Sequence, residues 1–162
     1  MSGELRGSME IAKLSNKLSF IDEIAALHHE EWKHLSPSKS VENRRATLIS
    51  AATSEGFPTF YIAYEDNEFI GSAAIVAKDM DSRPDIGPWL AAVYVKEKWR
   101  KQGVATSLLK HCEFQASKVG VKTLYLFTEF ASQLYAKNGW ISLERCEYRG
   151  INVEVMYKTF AS

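Results

Sequence analysis

The sequence predicts a mixed α/β fold (α+β in its strand pairing), a central sheet with both parallel and antiparallel strands and helices on its faces. Three observations predict it. Apolar runs of strand length alternate with segments of helical spacing, in the order β-α-α-β-β-β-α-β-α-β-β. A helical pattern crosses between two apolar runs, Pro88 to Val95 and Thr123 to Phe127, as a parallel pair requires. Short polar turns join the runs on either side of that crossover, which makes those pairs antiparallel hairpins.

Residues 1–8 show no periodicity, and Gly7-Ser8-Met9 reads as a junction between an added leader and the start of a single domain over 9–162. Met9 to Leu14 is a short first strand. Ser19-Phe20-Ile21-Asp22 has the form of a helix start, and Ile21, Ile24, Ala25 and Leu27 continue an apolar face. His28, His29, Glu30, Glu31 and Trp32 fall near its end, and Ser36-Pro37-Ser38 is a loop. Val41, Leu48, Ile49 and Ala52 define a second helix, stopped by Gly56 and Pro58. Thr59 to Tyr64 and Phe69 to Ala77 form a hairpin about the polar turn Glu65 to Glu68, and Lys78 to Gly87 is a loop. After the strand Pro88 to Val95, a long helix starts at Val104, with Leu108, Cys112, Ala116 and Val119 on one face and Gly120 as its stop. The buried-strand pattern Thr123 to Phe127 follows. Ser132 is placed to cap a short helix, Gln133 to Lys137, closed at Asn138-Gly139. Trp140 to Glu147 and Ile151 to Thr159 are two last strands about Arg149-Gly150.

The 162 residues, 46% of them hydrophobic, suit one core. Twenty basic and twenty acidic residues cancel, so no global field argues for nucleic acid or a membrane surface as partner. No apolar run approaches the roughly 18 residues of a membrane span, and no secretory leader is evident. Cys112 and Cys146 are too few for a disulfide framework. A cytoplasmic domain is the expectation. His28-His29-Glu30-Glu31 does not suggest a metal, because adjacent helical histidines point about 100° apart.

The chemistry concentrates between Val93 and Leu109, where a β-branched strand ends in a basic turn and a helix opens at once. Free N–H groups and the helix dipole favour an anion there. Gly103 and Ala105 are small enough for a ligand to approach the main chain, and Arg100 and Lys101 add cations. The turn is a seat for phosphate or pyrophosphate. It carries neither Gly-Lys-Ser/Thr nor Gly-x-Gly-x-x-Gly, which disfavours an ordinary nucleotide loop.

Arg100-x-x-Gly103-x-Ala105 resembles the acetyl-CoA pyrophosphate loop of the GNAT N-acetyltransferase superfamily, Arg/Gln-x-x-Gly-x-Gly/Ala. Leu134-Tyr135-Ala136-Lys137-Asn138-Gly139-Trp140 resembles that family's Leu-Tyr-x-x-x-Gly-Phe segment. The element order is also similar to the GNAT fold, from Met9 to Phe160. Pro88-Trp89-Leu90-Ala91 and Tyr148-Arg149-Gly150 look like a group of bacterial acetyltransferases without an assigned substrate.

The resemblance implies transfer of an acetyl group from acetyl-CoA to a primary amine by direct attack in a ternary complex, with no acyl-enzyme and no metal. It implies a pyrophosphate site at Arg100, Lys101, Gln102, Gly103, Val104, Ala105 and Thr106, and pantetheine contacts from the main chain of Val93, Tyr94 and Val95. A main-chain N–H of that strand would also take the carbonyl oxygen. Tyr135 is implied as general acid, since a phenol with an ordinary pKa near 10 stays protonated at neutral pH. Glu129, after the buried strand, is the first choice of base. Asp85, Glu31, a water-linked His28 or His29, and ordered water alone remain open. Glu31 and Trp32 fall where the family meets its acceptor, a small-molecule or peptide amine. A homodimer through the last two strands is compatible with the pattern. The competing function is a non-catalytic acyl-CoA-binding or sensing module, for which Tyr135 would be dispensable.

Overall fold

The computed structural model of the chain describes residues 9–161. The leader read at residues 1–8, and Ser162, lie outside the described residues. Seven strands form one mixed sheet: β1 (Glu10–Lys13), β2 (Thr59–Glu65), β3 (Glu68–Val76), β4 (Trp89–Val95), β5 (Thr123–Thr128), β6 (Ile141–Tyr148) and β7 (Ile151–Thr159). Their order across the sheet is β1-β2-β3-β4-β5-β7-β6, with β4 and β5 parallel and every other neighbour antiparallel. The helices are α1 (Ile21–Trp32), α2 (Val41–Thr53), α3 (Val104–Lys118) and α4 (Ser132–Lys137).

Period-two alternation divides the core. Phe60, Ile62, Phe69 and Ala74 face α1 and α2, while Tyr61, Ala63, Ile70, Ala73 and Ile75 face α3. Covered on both sides, β3 is buried almost throughout, and its sequence is correspondingly apolar. The α3 stripe Val104, Leu108, Cys112 and Ala116 is buried as its spacing predicts. Val119 departs from the expectation: it lies past the helix end and is 67% exposed.

Several local expectations need correction. β1 ends at Lys13, because Leu14–Asn16 and Leu18–Phe20 wind into 3₁₀ turns that run directly into α1. Ser19 therefore does not cap α1; Phe20 holds that position without a side-chain bond. Ser132 does not cap α4 either. Ala131 is the cap residue, and its N–H is taken by Thr128 Oγ1 at 2.9 Å. The α2 start is built more fully than its apolar spacing indicates, since Ser40 and Asn43 exchange side-chain and backbone bonds at 3.0 Å each. Trp140 precedes β6 instead of opening it and is buried in the core.

Candidate active site

The sheet opens at its parallel seam. β4 and β5 pair only at Trp89 and Tyr125, where the Tyr125 N–H also donates to the Pro88 carbonyl at 3.1 Å. Past that point β4 continues to Val95 and β5 to Thr128 with no further paired residues. The resulting cleft has a volume of about 340 Å³. Val93, Tyr94 and Val95 form one wall, the turn and first residues of α3 another, and Ala131, Leu134 and Tyr135 a third. Glu31 reaches it from the end of α1.

The basic turn is shaped by backbone torsions. Lys101 adopts φ +62° and Gly103 φ +83°, so the chain reverses sharply into α3. Gly103 is the N-cap residue and supplies no side-chain acceptor, and the first turn holds no acidic residue. The leading N–H groups of a 15-residue helix are therefore left to an external acceptor. Of the residues expected at a pyrophosphate, Arg100, Lys101, Gly103, Val104, Ala105 and Thr106 line the cleft. Gln102 does not; its side-chain amide donates to the Lys98 carbonyl at 3.1 Å.

The cations divide into two kinds. Lys96 is paired with Glu23 at 3.0 Å, and Lys98 with Glu68 at 2.8 Å, so both are partly neutralised. Arg100 folds back instead of pointing outward: Nε donates to the Val95 carbonyl at 2.7 Å, and the guanidinium lies over the Tyr94 ring. Its other end is 4.0 Å from Glu31. Lys101 has no carboxylate partner among the described residues.

Tyr135 is 6% exposed and lines the cleft, yet its hydroxyl has no hydrogen-bond partner among the described residues. Burial pushes its phenol above the ordinary value, so it is a proton donor at any physiological pH. The helix beneath it is braced. Asn138 Nδ2 donates to the Leu134 carbonyl at 2.8 Å, closing α4 as the sequence indicates. Glu113 of α3 accepts from Trp140 Nε1 at 3.0 Å and from Lys158 Nζ at 2.8 Å, and Lys158 also reaches the Asn138 carbonyl. The Trp140 ring then packs edge-on against Tyr135.

The other polar residues singled out in the sequence are dispersed. Glu129 bonds His34 Nε2 at 2.8 Å, joining the loop after β5 to the loop after α1, and does not line the cleft. Trp32 also lies off the cleft lining, packed against the rings of His28 and Tyr94. Asp85 is held by Arg83 at 3.0 Å. His28 is buried, and desolvation followed by the nearby Arg44 charge pushes its pKa down to about 3. Arg149, at the last turn and within the Tyr148-Arg149-Gly150 resemblance, ties its own turn to two loops, donating to the Leu35 carbonyl and Ser36 Oγ of one and to Asp81 of the other. Among the described residues, no group of three or more His, Cys, Asp or Glu is placed to hold a metal ion. No helix there is long and apolar enough to cross a membrane.

The family profile described as "Acetyltransferase (GNAT) domain" matches residues 57–142, more than half of the chain and inclusive of the cleft walls. The chain belongs to the GNAT acetyltransferase family. Solved structures agree on the fold. An aminoglycoside 6'-N-acetyltransferase complexed with coenzyme A superposes with a TM-score of 0.73 at 17% identity, covering 93% of this chain and 96% of that one. An N-acetyltransferase from Staphylococcus aureus Mu50 gives 0.75 at 13% identity, over 93% and 98%. A ribosomal-protein-alanine N-acetyltransferase from Brucella melitensis gives 0.73 at 16% identity, over 94% and 99%. No curated protein matches the chain by sequence. At these identities the likeness speaks for the GNAT architecture alone.

Proposed function

We propose that this GNAT protein is an acetyl-CoA-dependent N-acetyltransferase that acetylates a primary amine by direct attack in a ternary complex. One observation carries the reading: a single cleft joins the uncapped N-terminus of α3 to the unpartnered hydroxyl of Tyr135, a ring otherwise buried in the core. An anion seat and a proton donor in one cavity match the two ends of a CoA thioester, its pyrophosphate and its leaving sulfur. Acetyl-CoA supplies the acyl group; the chain supplies position, charge and protons.

The main-chain N–H groups of Gly103 to Thr106, with Lys101 beside them, hold the pyrophosphate. Arg100 shapes this seat through the Val95 carbonyl. Main-chain groups of Val93, Tyr94 and Val95 hold the pantetheine arm and steady the carbonyl oxygen as charge develops on it. Glu31, the carboxylate in the cleft lining, draws in the acceptor amine while Trp32 backs that wall. The amine nitrogen bonds the carbonyl carbon as the carbon–sulfur bond breaks. Tyr135 gives its proton to the departing sulfur, and the proton lost by the amine passes through water to Glu129. The thiols take no part: both cysteines are free, and burial pushes the Cys112 thiol far up. Free thiols also accord with a reducing, cytoplasmic setting. The acceptor is a small-molecule or peptide amine.

Calorimetric titration with acetyl-CoA, CoA and ATP tests the cofactor. Tight binding of the two CoA compounds alone, lost in Gly103→Asp, supports the seat, because the variant places a charge and a Cβ where φ is +83°. Unchanged binding in that variant sinks it. An amine screen of wild type against Tyr135→Phe then separates an enzyme from a sensing module.

A further inference from the structure

His28 and Ser72 are buried polar side chains within the apolar packing between α1 and β3, and they touch each other. Neither is used by the mechanism above. His28 completes the buried stripe Ile21, Ile24, Ala25 of α1, among the rings of Trp32, Phe60 and Tyr94. A phenylalanine would fill that space without a polar atom to satisfy. Ser72 lies opposite on β3.

The direction of the bonds follows from counting hydrogens. Ser72 Oγ donates to the Ala92 carbonyl at 2.8 Å. A serine hydroxyl has one hydrogen, so toward His28 it offers only a lone pair. His28 Nε2, 2.8 Å away, must then carry the hydrogen. The relay runs from the His28 Nε2–H to Ser72 and from the Ser72 O–H to the Ala92 carbonyl.

Its end point is the irregularity in β4. Ser72 pairs with Tyr94 and Ala74 with Ala91, so Ala92 and Val93 together oppose Ala73. That is a β-bulge, and Ala92 adopts φ +54° within it. Alanine has no intrinsic reason to occupy the left-handed region, and a bulged residue loses regular ladder bonds. Ser72 supplies the donor that the bulged carbonyl needs.

We infer that His28 and Ser72 are positioning residues that lock the β4 bulge and so aim the main chain of Val93, Tyr94 and Val95 at the cleft. The inference rests on the acetyl-CoA reading for what those groups hold, but the lock itself does not. It acts on the pantetheine wall at Val93 and Tyr94 and meets the pyrophosphate seat only at its edge, through the Val95 carbonyl that Arg100 binds.

The test compares Ser72→Ala and His28→Phe with the conservative Ser72→Thr and His28→Gln, whose side-chain amide can replace the Nε2–H. CoA and 3'-phosphoadenosine 5'-diphosphate are titrated against each; the second ligand has the phosphates without the pantetheine. In Ser72→Ala and His28→Phe, CoA binding is expected to weaken about tenfold, with the short ligand within about twofold of wild type. The conservative variants recover CoA binding. Nitrogen-detected NMR should show the Nε2–H tautomer of His28, and amide exchange at Val93 and Tyr94 should quicken in Ser72→Ala. Equal weakening of both ligands, no rescue, an Nδ1–H tautomer, or unchanged amide exchange would each overturn the lock. If wild type binds no CoA, the functional reading falls, and the tautomer and exchange results still decide the lock.

Discussion

A proton donor is useful in a transferase only while it keeps its proton, and Tyr135 is placed to do so. Desolvation raises its phenol above the ordinary value, and the neighbouring Cys112 adds in the same direction. Tyr135→Phe is therefore expected to lower kcat about a hundredfold while the KM for acetyl-CoA hardly moves, since the hydroxyl acts on the leaving sulfur rather than on binding. Steady-state kinetics on any amine found by screening checks this. No fall in rate from phenol ionisation should appear below about pH 10, because burial moves the group upward from there. A parallel loss in KM would make Tyr135 a packing residue. The motif Leu134 to Trp140 exposed this residue in the sequence, whereas the role of Arg100 was legible only by type. A cation beside a phosphate seat suggests an outward-facing contact. The Val95 carbonyl, five residues away, draws the guanidinium back. That bond depends on how strand and turn meet in space, which residue type cannot convey.

Among elements, β3 is the strand on which the cleft depends most closely. Its Gly71 lies so near β4 that an added Cβ would stand 2.6 Å from the Tyr94 carbonyl oxygen and 3.3 Å from Leu108. Backbone cannot swing aside as a long side chain does, so the strands must separate. Gly71→Ala is expected to destabilise the protein by about 1–3 kcal/mol and to lower Tm by several degrees, read by calorimetry. CoA affinity should fall as well, because Tyr94, whose main chain would be displaced, is a residue of the cleft wall. An unchanged Tm would mean that β4 is not held at this separation. The same strand shows where sequence reading runs out. Alternation between Tyr61 and Ile62, or Ile70 and Phe69, is written in residue polarity, and so are the hairpins and the α3 stripe. The bulge at Ala92 is not, since Leu90 to Val95 reads as an ordinary apolar strand. Its only trace lies on other elements, as a serine within the apolar run of β3 and a histidine at a buried position of α1. Likewise the absence of side-chain caps on α1 and α4 reflects the turns leading into them, which overrode the local promise of Ser19 and Ser132.

At the scale of the whole molecule, two desolvated groups titrate in opposite senses, His28 on α1 and Asp79 in the loop that follows β3. His28 has its pKa lowered from 6.5 to about 3, first by desolvation and then by Arg44. Between those values the unfolded chain binds the extra proton, so this contribution is complete above pH 6.5 and lost as pH falls toward 3. Asp79 has its pKa raised from 3.8 to about 7 by desolvation, which the charges of Lys39 and Arg149 offset only in part. There the folded chain binds the extra proton, so stability is complete below pH 3.8 and lost as pH rises through 7. Each slope is at most about 1.4 kcal/mol per pH unit, and they have opposite signs over the shared window from about pH 4 to 6.5. Removing either group should expose the other. Urea unfolding at three pH values across that window should give His28→Gln a stability that falls with rising pH relative to wild type. Asp79→Asn should give the reverse. His28→Gln keeps the donor to Ser72, so its change in slope reads the lost titration separately from the lock on the bulge. Two variants with the wild-type slope would mean that neither group pays a desolvation cost in the fold, and the buried, neutral state of His28 on which the relay depends would go with it.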